Sequence, residues 1–433
     1  MNVPQGLKEL IHFQDSIFAE KERLSLLAFI SAYAIFSFNV VPVNLILLVI
    51  LLIFLFSSAN TCLFMFTFYT LWEYVSVIGN GITLNLILHI ILFAKICLST
   101  KRISICKQHN LFIISVLWAL FTLSYAIIGL VSTKGFEGFH FFIKSMVVVY
   151  ALSYMMNEDD TYDFWKTIFQ LIAISTIFSA IYGFFYNTSL ERWIVGLEGH
   201  YGSQLYGTLG TTRLGMFTVV SLVYPLYFVQ DKLLKYALII TFIILTLKTI
   251  SITALGLLAC LFMIYLYSKR YLWAKGFFSI TILVLVLILS WPRLSHISVV
   301  RPIALRIEYS MNKIKKGNID KATTGRSELK DFYTSKFDDL PLVNQYFGTG
   351  SSSALKYVKN ASYLNSHNSY IDMMFYWGRC GIFFLLFVTI RKVMHFRNSF
   401  CFYPIFTLKI CFLIVTGSVS VFSSTFWSFF IYL

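Results

Sequence analysis

Residues 111–130 read LFIISVLWALFTLSYAIIGL, twenty consecutive positions without a charged side chain. A helix rising about 1.5 Å per residue needs this many residues to cross a hydrocarbon layer of about 30 Å. Apolar and polar residues do not alternate along the run, which argues against a strand of a membrane barrel, where every second side chain faces lipid. In lipid the backbone has to satisfy its own polar groups, and a run like this does so as a helix.

Comparable runs lie on either side, at 24–38, 43–56, 61–78, 82–98, 139–155 and 164–186. Beyond a polar gap come 214–229, 234–247, 250–267, 274–290, 368–390 and 402–416, with a short apolar tail at 419–433. The expected fold class is therefore all-α, a polytopic membrane helix bundle of about 12–14 transmembrane helices with one large, partly helical loop on the outer side. Composition agrees, since 58% of the 433 residues are hydrophobic and only 13% are charged. With a mean hydropathy of +0.74, the chain has too little polar surface to clothe a soluble globule of its size.

The net charge of +15 would suggest nucleic acid in a soluble protein, but much of it flanks apolar runs as a topogenic signal, so no nucleic-acid partner is expected. Seven scattered cysteines form no CxxC pair and no spacing with histidine that suits zinc, so neither metal nor cofactor is expected. Residues 1–23 are amphipathic and mixed in charge, with no cleavage site after them, and the first helix is expected to stay.

Lys and Arg in short loops are retained on the cytoplasmic side. Lys8, Lys21 and Arg23 place the N-terminus inside, and counting runs places Lys101/Arg102/Lys107, Lys232/Lys235, Lys269/Arg270/Lys275 and Arg391/Lys392/Arg397 inside as well. The expected organisation is residues 1–290 as about eleven transmembrane helices with an outer loop at 187–213, residues 291–366 as the large outer loop, and residues 367–433 as the C-terminal transmembrane helices. The large loop carries twelve Lys and Arg against six Asp and Glu. Two accounts of that excess stand side by side: contact with anionic lipid headgroups, or recognition of a phosphate, which Arg grips in bidentate fashion.

Three clusters on the outer side carry candidate chemistry. Arg213 stands at the mouth of a run, within Gly207-Thr-Leu-Gly-Thr-Thr-Arg213-Leu-Gly215, where an isolated Arg also serves as an interfacial anchor. In Thr324-Gly325-Arg326-Ser327-Glu328-Leu329, a helix beginning near Ser327 would put Arg326 at its positive end, a place suited to an anion. In Asn365-Ser366-His367-Asn368-Ser369-Tyr370-Ile371-Asp372, His367 is suited to general base work near neutral pH, although an interfacial His more often only hydrogen-bonds. Asp372 and Arg379, about two turns apart on one helix face, are expected to line a watered cavity.

The order of these pieces resembles the O-antigen polymerase and ligase family of bacterial envelope glycosyltransferases, over roughly the C-terminal half. The matching elements are Arg213-Leu214-Gly215, Gly325-Arg326-Ser327-Glu328-Leu329, Phe347-Gly348-Thr349-Gly350, His367-Asn368-Ser369-Tyr370-Ile371 and Gly378-Arg379-Cys380-Gly381. Two departures are evident: the family's Trp after Leu329 is Lys330, and its Ser-Arg-Thr-Ala-like element reads Ser251-Ile252-Thr253-Ala254, without the Arg.

The resemblance implies metal-independent transfer of a glycan from an undecaprenyl-pyrophosphate carrier to an acceptor hydroxyl, at the periplasmic face of the inner membrane. It implies Arg213 and Arg326 on the pyrophosphate and His367 on the acceptor as the catalytic set. Arg301, Arg306, Asn368, Tyr370 and Asp372 are the accompanying substrate-binding candidates. Implied partners are the carrier-linked oligosaccharide, membrane lipids and a chain-length regulator protein. Polymerisation of repeat units, as in lipopolysaccharide O-antigen or capsule-like polysaccharide, is the favoured reading, and ligation to lipid A core is its alternative. A lipid-linked glycan transporter is the alternative from a different class. It would place ionisable residues at mid-membrane in repeated halves, whereas here charge gathers in an outer loop and no repeat is evident.

Overall fold

The computed structural model of the chain describes residues 13, 19–38, 42–72, 77–79, 82–98, 109–133, 142, 143, 146, 161–186, 211–269, 290–293, 295–297, 301–315, 326–349, 369–395, 397 and 402–416. These are helical apart from turns and one antiparallel ribbon. The helices are α1 (Glu20–Ser37), α2 (Val43–Phe56), α3 (Ala59–Tyr69), α4 (Leu84–Leu98), α5 (His109–Thr133), α6 (Thr161–Tyr186), α7 (Thr211–Ser221) and α8 (Val223–Tyr227). They continue as α9 (Lys232–Lys248), α10 (Ile252–Ser268), α11 (Arg301–Lys315), α12 (Arg326–Asp338), α13 (Leu342–Phe347), α14 (Ser369–His395) and α15 (Phe402–Thr416). Two stretches, Tyr162–Phe185 in α6 and Tyr370–Arg391 in α14, are long and apolar enough to cross a membrane. The runs at 139–155, 274–290 and 419–433 lie wholly or almost wholly outside the described residues.

One expected run ends early. The helix begun at Ala59 stops at Tyr69, tightens into a 3₁₀ turn at Thr70–Trp72, and gives way to strand β1 (Val77–Gly79), which pairs with β2 (Ile82–Thr83). The physical reason is local: Gly79-Asn80-Gly81 is a hairpin turn sequence, and the β-branched residues around it suit a strand.

The chain forms two compact units, one from Phe13–Ile168 with Arg326–Leu433, the other from Phe169–Gly325 with Met1–His12. The segment 291–366 is thus divided at Gly325.

In the first unit α1 packs on α2 and α3. The core there is aromatic: Tyr33 lies 5.1 Å from the ring of Trp72 and 5.6 Å from that of Phe68. Helix α3 is buried from Thr61 to Tyr69, so its neighbours surround it. Lys95, in the last turn of α4, donates to the carbonyl oxygens of Leu55 at 2.8 Å and of Ser57. Carbonyls at a helix C-terminus lack intrahelical partners and carry partial negative charge, so an ammonium there supplies both donor and countercharge.

In the second unit α7 is the central helix, buried from Leu214 to Ser221 and packed on α9 and α10. Its polar side chains are matched to each other: Thr218 Oγ1 lies 2.7 Å from Thr246 Oγ1, and Ser221 Oγ donates to Thr176 Oγ1 at 2.8 Å.

Outward faces are apolar too. Helix α2 exposes Leu45, Leu48, Val49, Leu52, Leu55 and Phe56, α9 exposes Leu233, Tyr236, Ile240 and Ile244, and α14 exposes Phe383, Phe387, Ile390 and Met394. Each set recurs at helical spacing opposite the buried stripe, where a helix facing water carries polar residues.

Candidate functional site

In the second unit, α7 begins at Thr211, so Arg213 stands half-buried in its first turn. Two residues on, Gly215 sits where a β-carbon would fall 2.7 Å from both Ala254 Cβ and Thr249 Oγ1. Only glycine lets these backbones approach so closely. The contact is made by the turn between α9 and α10, where Ile250 takes a left-handed φ of 51° and Ser251 caps α10 by accepting from Ala254 N–H at 3.3 Å. An isoleucine rarely adopts that φ, and the buried setting of Ile250 holds it there. Arg213-Leu214-Gly215 and Ser251-Ile252-Thr253-Ala254, some forty residues apart, are therefore one structural junction.

In the first unit, α12 starts at Arg326, one residue ahead of the helix start read from sequence. It packs on the first half of α14 through a core of Tyr333, Phe337, Ile371 and Phe375. The pairing fixes direction. Phe337 meets Phe375 at 5.4 Å, Tyr333 and Ile371, each earlier in its helix, share the same core, and Asp338 just after Phe337 pairs with Arg379 after Phe375. The two helices thus run the same way, so their N-terminal ends lie at one side. The first begins with Arg326 and the second two residues after His367. First-turn N–H groups of a helix lack intrahelical acceptors and carry partial positive charge, so each of these ends is suited to an anion. Burial, and then the neighbouring Asp372 carboxylate, push the Tyr333 phenol above its ordinary range, so it stays a hydroxyl at neutral pH.

Helix α14 breaks at Gly378, whose φ of 66° and ψ of −173° are open to glycine alone. The break carries the Phe347-Gly348-Thr349 turn. A β-carbon on Gly378 would fall 2.3 Å from Tyr346 O, and one on Gly348, with φ 74°, would fall 2.3 Å from Tyr376 O. The two glycines therefore pack backbone to backbone. Thr349 donates from both N–H and Oγ1 to the Phe375 carbonyl, each at 2.8 Å, so a carbonyl next to the break is satisfied by the docked turn. Tyr125 of α5 donates to Phe347 O from the other side. Gly381 makes room for Trp377 and Phe121, which its β-carbon would meet at 2.2 and 3.3 Å.

The break also corrects one expectation. Asp372 and Arg379 do not share a continuous helical face, because Gly378 lies between them. Arg379 turns instead to Asp338, with Nη2 3.2 Å from Oδ1, and stands over the rings of Phe337 and Tyr346 at 5.6 and 5.9 Å. It ties α12 and α13 to the far side of the break.

Of the other candidates, Tyr370 and Asp372 are half-buried in the first turn of α14, and Arg301 is exposed at the start of α11. Arg306 is on that helix. His367 and Asn368 lie outside the described residues. Among the described residues no three His, Cys, Asp or Glu side chains group as metal ligands would. Sequence reading passed over Lys409, which is 2% exposed within α15 and donates to Thr389 O of α14 at 3.4 Å. A lysine inside the apolar run Phe402–Thr416 was the signal available for it. Compared with known family models, curated proteins and solved structures, the chain matches none.

Proposed function

We propose that the chain is a polytopic inner-membrane glycosyltransferase that polymerises undecaprenyl-pyrophosphate-linked oligosaccharide repeat units at the periplasmic face. The observation that carries this reading is the parallel packing of α12 on α14, which points the helix end at Arg326 and the helix end that follows His367 to one side. A diphosphate on that side would meet an Arg and unsatisfied helix-end N–H groups. Departure of a pyrophosphate from a sugar needs stabilisation of developing negative charge more than covalent help, and attack by a hydroxyl needs a base within reach. Arg326 and Arg213 take the first task in this proposal and His367 the second. Asn368, Tyr370 and Asp372 contact the glycan, while Arg301 and Arg306, open to diphosphate steering or to headgroup contact, are assigned to headgroups.

Membrane embedding draws support from the outward apolar faces of α2, α5, α9 and α14, which would be an aggregation liability in water and are the expected lipid contact. The topology read from Lys and Arg draws support from which ends meet. Lys95 meets the end of α2, two termini assigned to the inside, and Gly215 meets the turn at Thr249–Ser251, two places assigned to the outside. Tyr125, in the outer half of α5, meets Phe347 of the outer segment.

The test is chain elongation by the purified protein in proteoliposomes that hold undecaprenyl-pyrophosphate-linked repeat units together with lipid A core, with a chelator present. A ladder of carrier-linked polymer is the expected product. Transfer only onto lipid A core would make the chain a ligase, and movement of the lipid-linked glycan between leaflets without new bonds would make it a transporter.

A further inference from the structure

We propose that α11 is an interfacial helix that lies along the membrane surface and binds anionic phospholipid headgroups; this rests on the membrane reading above, but not on the glycosyl-transfer chemistry. The helix reads RPIALRIEYSMNKIK over Arg301–Lys315. Positions 303, 307, 311 and 314 hold Ile, Ile, Met and Ile, a spacing that puts them on one face of a helix. Position 304, beside that face, is alanine. Positions 306 and 313, one heptad apart, make a basic edge on one side, and on the other Arg301 and Lys315, two heptads apart, have Glu308 midway between them. Glu308 is the lone acid among four Lys and Arg in the helix, and Lys316 follows directly.

Among the described side chains, this face of α11 is covered by protein toward its start and open further along. Ala304 is buried at 1% exposure, Ile307 is half-buried, and Met311, a turn further, is 52% exposed. Ile297, just ahead of the helix, is also exposed, as are Arg301 and Lys315. An apolar stripe open at Met311 and flanked by long cationic side chains fits a headgroup layer, where the stripe enters the acyl boundary and the cations reach phosphates. The charge names the partner: a neutral surface would satisfy the stripe and leave the flanking cations without counterions, whereas an anionic surface satisfies both. The helix also follows closely the apolar run 274–290 and Trp291, an aromatic residue typical of the interface.

The measurement is amide hydrogen exchange over residues 301–315 of the full chain in nanodiscs of phosphatidylcholine alone, and in nanodiscs of equal parts phosphatidylcholine and phosphatidylglycerol. Exchange is expected to be about tenfold slower in the anionic discs, in line with several cations near a charged surface. Lys313→Glu with Lys315→Glu removes that difference, and Met311→Asp, at an exposed position, speeds exchange in both discs. Equal exchange in the two discs overturns the proposal. So does protection produced in neutral discs by inorganic pyrophosphate, which would identify a site for free diphosphate. A chain that enters neither disc overturns the membrane reading itself, and this proposal with it; entry with equal exchange leaves that reading standing.

Discussion

Replacing His367 with alanine is expected to lower the elongation rate by about 10²–10⁴-fold, the usual contribution of a positioned general base, with the amount of protein in the membrane unchanged. Arg326→Ala is expected to cost about 10²–10³-fold, the scale of losing one preorganised donor to a developing anion. Neither residue belongs to the Tyr333, Phe337, Ile371 and Phe375 core that joins α12 to α14, so melting temperatures should match that of the unaltered protein. Arg326→Lys separates two forms of the idea: a bidentate grip loses most of the rate, while a simple need for charge keeps it. Steady elongation by either alanine variant, measured with purified enzyme and carrier-linked repeat units, would remove that residue from the mechanism.

The second large effect is structural. Gly378→Ala puts a β-carbon 2.3 Å from Tyr346 O at a φ of 66°, and Gly348→Ala does the same against Tyr376 O at a φ of 74°. Strain in this region of φ and ψ costs about 1–3 kcal/mol by itself. The overlap adds to it, because neither partner atom is the end of a flexible side chain. Each variant is expected to lose about 3 kcal/mol or more, and the double variant less than twice that, since the first substitution already separates the turn from α14. The comparison is Gly256→Ala, on α10, where a β-carbon would meet nothing within 4 Å and helix propensity gains about 0.5–1 kcal/mol. Thermal unfolding of the four variants and the parent in one detergent orders them. A Gly378→Ala protein as stable as the parent would mean that the paired glycines do not hold the turn.

How much of this was legible beforehand depends on whether local chemistry or a distant contact decides each feature. The runs at 43–56 and 402–416 coincide with α2 and α15, because an apolar stretch free of Gly and Pro past its first turns has few alternatives to a helix. Asp372 with Arg379 failed as a pair because the break at Gly378 is set by Gly348, thirty residues away, and nothing in Tyr376-Trp377-Gly378-Arg379 announces it. A lone glycine in an apolar helix is usually tolerated without a break. The early end of α3 was announced, by Gly79-Asn80-Gly81 between β-branched residues, and an unbroken hydropathy signal hid it. At the candidate site the residue types were readable, in Arg326 ahead of a helix and a histidine ahead of another. The parallel approach of α12 and α14 was not, since it depends on four apolar side chains, Tyr333, Phe337, Ile371 and Phe375, whose spacing fits any helix pair.

The placement of the imidazole outside the cell membrane is what every chemical role above requires. A His367→Cys protein, in a background whose native cysteines are serine, can be exposed in intact spheroplasts to a maleimide that does not cross lipid. Modification at position 367 is expected before the membrane is opened. Modification only after permeabilisation would put the residue in the cytoplasm and contradict the account.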